Sequence, residues 1–544
     1  MFDYAGHGLL ASAVKRPLPG DGPQAIGAIL DRQLRLDPHR LALVGRSARY
    51  TYGELDQQVA RAAAVFHAQG IRQYDRVAAC LPNDVNIIVA LLACARLGAI
   101  WVGVNRPLAA PEKAYILADC GAMLYLTDTQ GSEEIALQRQ ELPALRRVIC
   151  VEREAAACEW RELLQAAPPE KSPALEVDPF APAAIAYTSG TTGRPKGAVH
   201  SHHNILLPGV IKVEQREFGP EDTQGVMLPL TILNLVVLAP MVAFQLGACC
   251  VLMDSLKPQD IARWVREESV RHFASVPTVI QDLLTSPLVA PEDLATLGHP
   301  DIGGASISSE CQRLYRERFG RPLTVAYGMT EAPTIVARVA HAHAGAGSEP
   351  QEELCGTAVE QVEIVIVDQD DRPLPQGELG QICVKPASSG RYAHVYTTML
   401  GYWNRPEATA AALRGGIYHT GDIGYLDASG QLFIRGRQND LIIRGGANVY
   451  PAEVERVLST HPAVAAVAVL GISDERLGQR VAAVVELQAG ANADDEPALA
   501  AALQAHCAMQ LARYKVPDQI RFIDALPRNA MNKIIKPQLL HLFG

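Results

Sequence analysis

A glycine-rich stretch carries the residue types best suited to binding phosphate. Residues 187–197 read YTSGTTGRPKG and follow the apolar run 183–186. The glycines permit tight turns and a close approach of the backbone to a ligand, while hydroxyls, consecutive amide N–H groups and Lys196 can surround phosphate oxygens. Because Lys196 lies between Pro195 and Gly197, the stretch departs from the Walker pattern, in which Ser or Thr follows a Gly-Lys pair. The sequence therefore predicts nucleotide binding without kinase-type transfer of the γ-phosphate.

Four further motifs carry residues suited to holding a nucleotide: YGMTE at 327–331, YHTGD at 418–422, RGRQND at 435–440 and PRNAMNK at 527–533. A carboxylate such as Glu331 suits a hard cation, and Asp422 has enough lone pairs to accept hydrogen bonds from two hydroxyls. Together with 188–197, these motifs resemble the signatures of the acyl-adenylate-forming superfamily. That superfamily includes acyl-CoA synthetases, aryl-CoA ligases, luciferases and the adenylation domains of peptide synthetases. The resemblance extends over residues 41–536.

The resemblance implies a role for each motif. In the family the tyrosine of the YGMTE motif stacks on adenine, and the aspartate of the YHTGD motif binds the ribose hydroxyls. Glu331 takes the position of the magnesium ligand. Lys533, Thr330 and Glu331 take the catalytic positions. The residues that take ATP- or AMP-binding positions are Thr188, Ser189, Gly190, Thr191, Thr192, Gly193, Lys196, Gly304, Ala305, Tyr327, Gly328, Met329, Thr330, Asp422 and Arg437.

The last part of the chain resembles the mobile part of such enzymes. Asn439 falls on the hinge position, and Gly445 and Gly446 fall on the path of the CoA pantetheine arm. Three residues depart from the commonest pattern: Asn439 replaces Asp or Lys, Ala447 replaces Glu, and Asn532 replaces Gly. Asparagine adopts the left-handed backbone conformation more readily than most residues, so the loop before Lys533 can keep its conformation.

The acyl pocket is predicted by family position and has apolar to weakly polar walls. Many relatives carry an aromatic residue and a histidine where this chain has Thr231 and Ile232. The predicted walls contain no Arg or Lys to pair with a second carboxylate, which favours an apolar medium-chain, aryl or alicyclic acid. The predicted wall residues are Thr231, Ile232, Asn234, Gly303, Met329 and Pro333.

Composition excludes several other classes of protein. The net charge of the 544 residues is −10, which disfavours a nucleic-acid binder because such proteins need a basic surface. Residues 224–253 contain no charged side chain and are long enough for a membrane span, but Pro229, Pro240 and polar residues interrupt them. We expect a buried helix and strand there, no membrane span, and a cytoplasmic protein.

Alternating helix and strand patterns through the first two-thirds of the chain predict parallel sheets covered by helices. After Gly421 the pattern changes to a hairpin with its turn at 427–430, followed by a compact α+β unit. The expected fold class is α/β, with a large N-terminal domain of stacked α/β subdomains at 1–436. A small, mobile α+β C-terminal domain is expected at 437–544.

The predicted function is ATP-dependent conversion of a small-molecule carboxylate to an acyl-adenylate, followed by thioester formation with coenzyme A. Mg²⁺ is the expected metal, and the enzyme is expected to be a monomer or homodimer. Three alternatives share the ATP motifs: an adenylating enzyme that loads a separate carrier protein, a luciferase-like oxygenase, and a non-catalytic nucleotide-binding regulator. Glu331 and Lys533 are both present, which disfavours the regulator.

Overall fold

A computed structural model describes residues 2–543 apart from short gaps. The gaps are 13–14, 153–157, 169–174, 189–193, 216–217, 299, 305–306, 308, 321–322, 340–352, 445–446, 475, 491–495 and 530–532; of Asn439 and Asn448 only the backbone is described. The chain forms two compact units. The larger contains residues 1–364 and 384–419, and the smaller contains 365–383 and 420–544.

One sheet of the larger unit has seven strands. In spatial order they are Gly401–Tyr402, Lys196–Ser201, Pro182–Thr188, Ile100–Gly103, Arg76–Cys80, Leu124–Thr127 and Arg147–Cys150. The last five are parallel to one another, and the first two add antiparallel strands at one edge. The central strands are almost completely buried, as expected for parallel strands covered on both faces.

The larger unit also contributes nine strands to a second sheet. In spatial order they are Leu354–Ala358, Ala332–Arg338, Thr324–Met329, Asp301–Gly303, His272–Ser275, Thr223–Val226, Cys249–Leu252, Leu41–Val44 and Arg49–Thr51. The six strands from Thr324–Met329 to Leu41–Val44 are parallel, and the outer pairs are antiparallel. Parallel sheets were predicted correctly, but their antiparallel edges were not.

Helices connect these strands. The α-helices are Asp31–Leu36, Tyr52–Ala68, Val85–Arg96, Ala110–Cys120, Thr129–Ala136, Glu159–Ala166, His202–Gln215, Leu233–Val236, Val242–Leu246, Pro258–Glu267, Pro277–Thr285, Ser309–Phe319 and Pro406–Ala412. Short 3₁₀ turns lie at Ala5–His7, Ile26–Ala28, Arg139–Glu141, Pro291–Leu294 and Arg414–Gly416. The helix Tyr52–Ala68 begins where Thr51 and Glu54 form a capping box, which satisfies amide groups at the helix start.

The uncharged stretch 224–253 folds inside the larger unit. It contains most of the strand Thr223–Val226, two short helices joined by the π-helical turn Val237–Met241, and the strand Cys249–Leu252. Pro240 lies in the π turn, where a missing N–H explains the departure from α-helical bonding. Among the residues that the structure describes, no helix has both the length and the apolar character needed to cross a bilayer.

The smaller unit is built on strands Gln431–Arg437, Ile442–Arg444, Ala447–Val449, Val464–Asp474, Gly478–Leu487 and Gln519–Ile523, with α-helices Pro451–Ser459 and Glu496–Ala508. Its 3₁₀ turns are Gln438–Asp440, Arg513–Lys515 and Lys536–Phe543. The strands Val362–Val367, Gly380–Pro386 and Tyr418–Leu426 contain residues of both units. The hairpin predicted around 427–430 is present. The helix Pro451–Ser459 begins just after residues 447–449, which pair as a strand with Ile442–Arg444.

Candidate active site

The two ends of the glycine-rich stretch are held by a strand pair. Thr188 ends one strand and Lys196 begins the next, and the two residues lie opposite each other in the antiparallel ladder. A Cβ atom on Gly197 would come within 2.5 Å of Ile185 and 3.1 Å of the Tyr187 ring, so only glycine allows this close approach. The predicted phosphate-binding residues Ser189, Gly190, Thr191, Thr192 and Gly193 lie outside the described residues.

A buried carboxylate fixes the base of this strand pair. Asp119 accepts hydrogen bonds from the Tyr187 hydroxyl at 2.7 Å and from Nη2 of Arg405 at 2.6 Å. Tyr115 donates its hydroxyl to the Pro195 carbonyl at 3.1 Å and accepts a hydrogen bond from Arg405 at 3.2 Å. The residues on both sides of the glycine-rich stretch are therefore connected to one polar network. None of Asp119, Tyr115 and Arg405 was predicted from the sequence.

Thr330 and Glu331 form the turn between two antiparallel strands, Thr324–Met329 and Ala332–Arg338. A Cβ atom on Gly328 would lie 2.7 Å from the Thr334 carbonyl oxygen, so a side chain at this position would push the two strands apart. Tyr327, which takes the family's adenine-stacking position, is 9% exposed.

Glu331 and the predicted phosphate-binding residue Lys196 share a neighbour, Tyr402. The Tyr402 hydroxyl donates a hydrogen bond to Oε1 of Glu331 at 2.9 Å. Nζ of Lys196 lies 5.3 Å from the centroid of the same tyrosine ring. The structure thus brings Lys196 and Glu331 together around Tyr402, a residue that the sequence reasoning missed. Its signal is the run GYWNRP at 401–406.

Three buried histidines lie where the strand Lys196–Ser201 meets the next helix: His200 belongs to the strand, and His202 and His203 begin the helix. Burial lowers the pKa of His200 to about 3, although the Thr330 backbone opposes this effect. Burial likewise lowers the pKa of His202 and of His203 to about 4. Nδ1 of His200 lies 3.1 Å from the Asn204 side-chain amide, which fixes the ring. The lowered pKa values leave all three imidazole rings uncharged at neutral pH.

The predicted ribose ligand and its arginine neighbour also lie together. Asp422 and Arg437 face each other across the hairpin, with Nε of Arg437 3.2 Å from Oδ1 of Asp422. The amide of Asp422 donates to the Thr420 hydroxyl at 3.0 Å, and that hydroxyl donates to the Ile382 carbonyl at 2.7 Å. The Asp422 side chain is 11% exposed, whereas that of Arg437 is 55% exposed, so the carboxylate is the better-fixed partner.

The predicted acyl-pocket residues are positioned by polar contacts behind them. Thr231 donates its hydroxyl to Asn105 at 2.5 Å, and Asn234 donates its amide to the Met329 carbonyl at 3.1 Å. The Asn234 contact connects the predicted acyl wall with the YGMTE motif. Oδ1 of Asn234 is buried and has no hydrogen-bond partner among the described residues. Ile232 precedes the helix Leu233–Val236.

The other predicted positions are distributed over the two units. Gly303 ends a parallel strand and Gly304 follows it, and Pro333 is buried in the strand Ala332–Arg338. Asn439 lies in the 3₁₀ turn Gln438–Asp440. Ala305, Gly445 and Gly446 are not among the described residues.

Lys533 is connected to Asn529 by two hydrogen bonds. Its amide donates to the Asn529 side chain at 3.0 Å, and the Asn529 amide donates to the Lys533 carbonyl at 2.9 Å. The Lys533 side chain is exposed. Lys536, by contrast, forms an ion pair with Glu455 at 2.8 Å, and Glu455 also accepts a hydrogen bond from the Val469 amide. Lys536 thus has a structural partner within the smaller unit.

In the larger unit the glycine-rich stretch connects two strands, and Glu331 and Lys196 share the neighbour Tyr402. Together with a separate small unit, these features define the class of acyl-adenylate-forming enzymes. The profile described as "AMP-binding enzyme" matches residues 30–403, and that of "AMP-binding enzyme C-terminal domain" matches 453–533. The chain belongs to the AMP-binding enzyme family. It is an AMP-forming acyl-CoA ligase, which uses ATP and coenzyme A.

Similar proteins extend over almost the whole chain. A feruloyl-CoA synthase from Amycolatopsis sp is 33% identical over 96% of this chain and 99% of its own length. An indoleacetate–CoA ligase from Aromatoleum aromaticum is 32% identical over 94% of this chain and 97% of its own. ATP-bound MatB from Rhodopseudomonas palustris has a TM-score of 0.84 and 29% identity, with 96% and 99% of the two chains covered. These likenesses confirm the predicted fold class and reaction.

Proposed function

We propose that this ligase activates an apolar acid, with aryl acids favoured over medium-chain and alicyclic ones. The observation that carries the reaction is the arrangement of Glu331 and Lys196 around Tyr402, directly beside the ends of the glycine-rich stretch. An aryl acid is supported by the names of two relatives, a feruloyl-CoA synthase and an indoleacetate–CoA ligase. It is also supported by predicted walls that contain no Arg or Lys.

In the first half-reaction, a carboxylate oxygen of the acid attacks the α-phosphorus of ATP. The bond from that phosphorus to pyrophosphate breaks, and acyl-AMP forms. The barrier comes from charge repulsion and positioning, so the site needs fixed cations and hydrogen-bond donors. Lys196 and Lys533 supply positive charge, Thr188 and Thr330 supply hydroxyl donors, and Asp422 holds the ribose.

A magnesium ion fits the donor set that the turn at 330–331 offers. Glu331 has one carboxylate oxygen that accepts the Tyr402 hydroxyl, which leaves the other oxygen as a hard ligand. Mg²⁺ is commonly held by one or two carboxylates together with substrate phosphates. When bound, the ion would neutralise phosphate charge, and Glu331 would hold it.

In the second half-reaction, the CoA thiol attacks the acyl carbonyl and AMP leaves. Gly445 and Gly446 are the proposed contacts of the pantetheine arm, and Asn439 is the proposed hinge. The proposed domain boundary lies between residues 436 and 437. The enzyme is proposed to act in the cytoplasm as a monomer or homodimer.

The test is a pyrophosphate-release screen with ATP, Mg²⁺ and a panel of acids, each with and without CoA. The panel contains ferulate, indoleacetate, octanoate, cyclohexanecarboxylate and malonate, and mass spectrometry identifies the acyl product. Turnover of an aryl acid to its CoA thioester is expected, with malonate inactive. Adenylation without any CoA thioester would instead indicate a carrier-protein acceptor, and the absence of pyrophosphate release with every acid would contradict the proposed substrate class.

A further inference from the structure

Tyr402 contacts two charged groups of the candidate site, the Glu331 carboxylate and the Lys196 ammonium group. It belongs to neither of the motifs that carry them. Its hydroxyl donates to Oε1 of Glu331 at 2.9 Å, and its ring faces Nζ of Lys196 at 5.3 Å. The residue is 8% exposed. A cation within about 6 Å of a ring centroid is attracted by the ring's quadrupole, so one side chain restrains the cation and the anion together.

The backbone of Tyr402 is fixed to the strand that carries Lys196 and to Thr409. Gly401 and Tyr402 pair with Val199 and Ala198 in the strand that begins at Lys196. The Tyr402 amide also donates to the Thr409 hydroxyl at 2.9 Å. The main chain of Tyr402 is therefore held by the neighbouring strand and by Thr409, which limits the movement of the phenol.

The neighbours of Tyr402 extend this anchoring to the other side of the site. The Met399 amide donates to the Glu331 carbonyl at 3.2 Å, and the Trp403 amide donates to the Gly197 carbonyl at 2.8 Å. Residues 399–403 thus connect the turn that carries Glu331 with the strand that carries Lys196. This segment therefore restrains the residues that carry the carboxylate and the ammonium group relative to each other, although their motifs lie far apart in sequence.

We infer that Tyr402 is a positioning residue that orients Glu331 for metal-bound nucleotide and holds Lys196 beside it. The inference rests on the proposed metal-ligand role of Glu331. A hydrogen bond to one carboxylate oxygen fixes the rotation of the carboxylate and directs the other oxygen to the metal. Groups that orient a metal ligand in this way commonly change metal affinity or activity by ~10–100-fold when they are removed.

The experiment compares Tyr402→Phe with Tyr396→Phe in the full chain. Tyr396 is a matched control, since it is also buried and its hydroxyl has no hydrogen-bond partner among the described residues. Three quantities are measured: the Mg²⁺ concentration that gives half-maximal ATP–pyrophosphate exchange, the thermal stabilisation by a non-hydrolysable ATP analogue with Mg²⁺ or with EDTA, and the rate of thioester formation from presynthesised acyl-AMP and CoA.

For Tyr402→Phe we expect the half-maximal Mg²⁺ concentration to rise by ~10-fold or more. The extra stabilisation that Mg²⁺ gives with the analogue should shrink, while stabilisation in EDTA stays at the wild-type value. Thioester formation from presynthesised acyl-AMP and CoA should also stay unchanged. Tyr396→Phe should match the wild type in all three measurements.

A second variant, Glu331→Gln, distinguishes the inference about Tyr402 from the proposed metal-ligand role of Glu331. If Glu331→Gln shifts the magnesium dependence and Tyr402→Phe does not, the inference about Tyr402 is overturned and the proposed metal role stands. If neither variant shifts it, the proposed role of Glu331 fails as well. Equal changes in Tyr402→Phe and Tyr396→Phe would show a general effect of losing a buried hydroxyl and would also overturn the inference.

Discussion

Replacing Asp119 by Asn should loosen the anchor of the glycine-rich stretch. The Asp119 side chain is 9% exposed and accepts hydrogen bonds from Tyr187 at 2.7 Å and from Arg405 at 2.6 Å. Burial, more than the nearby Cys120 and Asp119, raises the pKa of Tyr187 far above its usual value. The phenol therefore stays protonated and donates to the carboxylate at every practical pH.

The two contacts differ in their expected energy. A hydrogen bond to a charged acceptor contributes about 1.5–3 kcal/mol, and the bond from Tyr187 is well shielded from water. The Arg405 side chain is 38% exposed, so solvent screening reduces its share to below about 1 kcal/mol. We therefore expect a coupling energy of about 2 kcal/mol between Asp119 and Tyr187.

A double-mutant cycle of Asp119→Asn and Tyr187→Phe measures this coupling. The free energy of unfolding comes from urea titration followed by tryptophan fluorescence, because all four tryptophans lie in the larger unit. The KM for ATP is measured in parallel and should rise by roughly 10-fold in each single variant, since small displacements of binding groups are costly.

Additive effects of the two substitutions on the unfolding free energy, within about 0.5 kcal/mol, would refute the proposed coupling. A coupling of the expected size together with an unchanged KM for ATP in both single variants would show that the network stabilises the fold without positioning the nucleotide site.

Three further outcomes are expected. Lys533→Ala should slow adenylation by roughly 10²–10³-fold and leave thioester formation from acyl-AMP intact. Lys536→Ala is the control and should adenylate at the normal rate, because the Lys536 ammonium group pairs with Glu455. Rapid-quench assays measure each half-reaction. Asn439→Pro should slow thioester formation selectively, because proline fixes φ near −65° and a hinge must change its backbone angles. Wild-type rates in both half-reactions would exclude residue 439 as the hinge. Burial lowers the pKa of His202 to about 4 in the folded chain, against 6.5 for the unfolded group, so its contribution to stability is full above pH 6.5 and falls by about 1.4 kcal/mol per pH unit between pH 6.5 and 4. Because His200 and His203 also have lowered pKa values, His202→Gln should make the fall of the urea midpoint between pH 7 and 5 less steep without removing it.

Much of the fold was predictable because the helices and parallel strands are encoded locally. The helix Tyr52–Ala68, for example, begins at a capping box formed by Thr51 and Glu54, two residues only three positions apart in sequence. The antiparallel edges were not predictable in this way. The strand Lys196–Ser201 pairs back onto Pro182–Thr188, and nothing in its composition distinguishes an antiparallel return from a parallel continuation.

The candidate site was predictable where a motif is contiguous and unpredictable where a contact joins distant residues. Glu331 and Lys196 were identified from their own motifs. Tyr402 lies 71 residues from Glu331 in sequence, and Asp119 lies 68 residues from Tyr187. Such pairs depend on strand order and register, which a single sequence does not specify.

Tyrosine hydroxyls position a backbone carbonyl and two carboxylates of this site, and tyrosine suits this role better than a charged residue. Tyr115, Tyr187 and Tyr402 each direct a hydroxyl at a carbonyl or carboxylate while the ring packs inside the larger unit. A phenol loses little conformational freedom when its ring is packed, and it adds no charge beside ATP. A lysine in the same place would pair with Glu331 and compete with a metal ion for it. The Tyr402 hydroxyl, a neutral donor, therefore fixes one oxygen of Glu331 and leaves the negative charge of the carboxylate available, which is what the proposed site for Mg²⁺ and a polyphosphate requires.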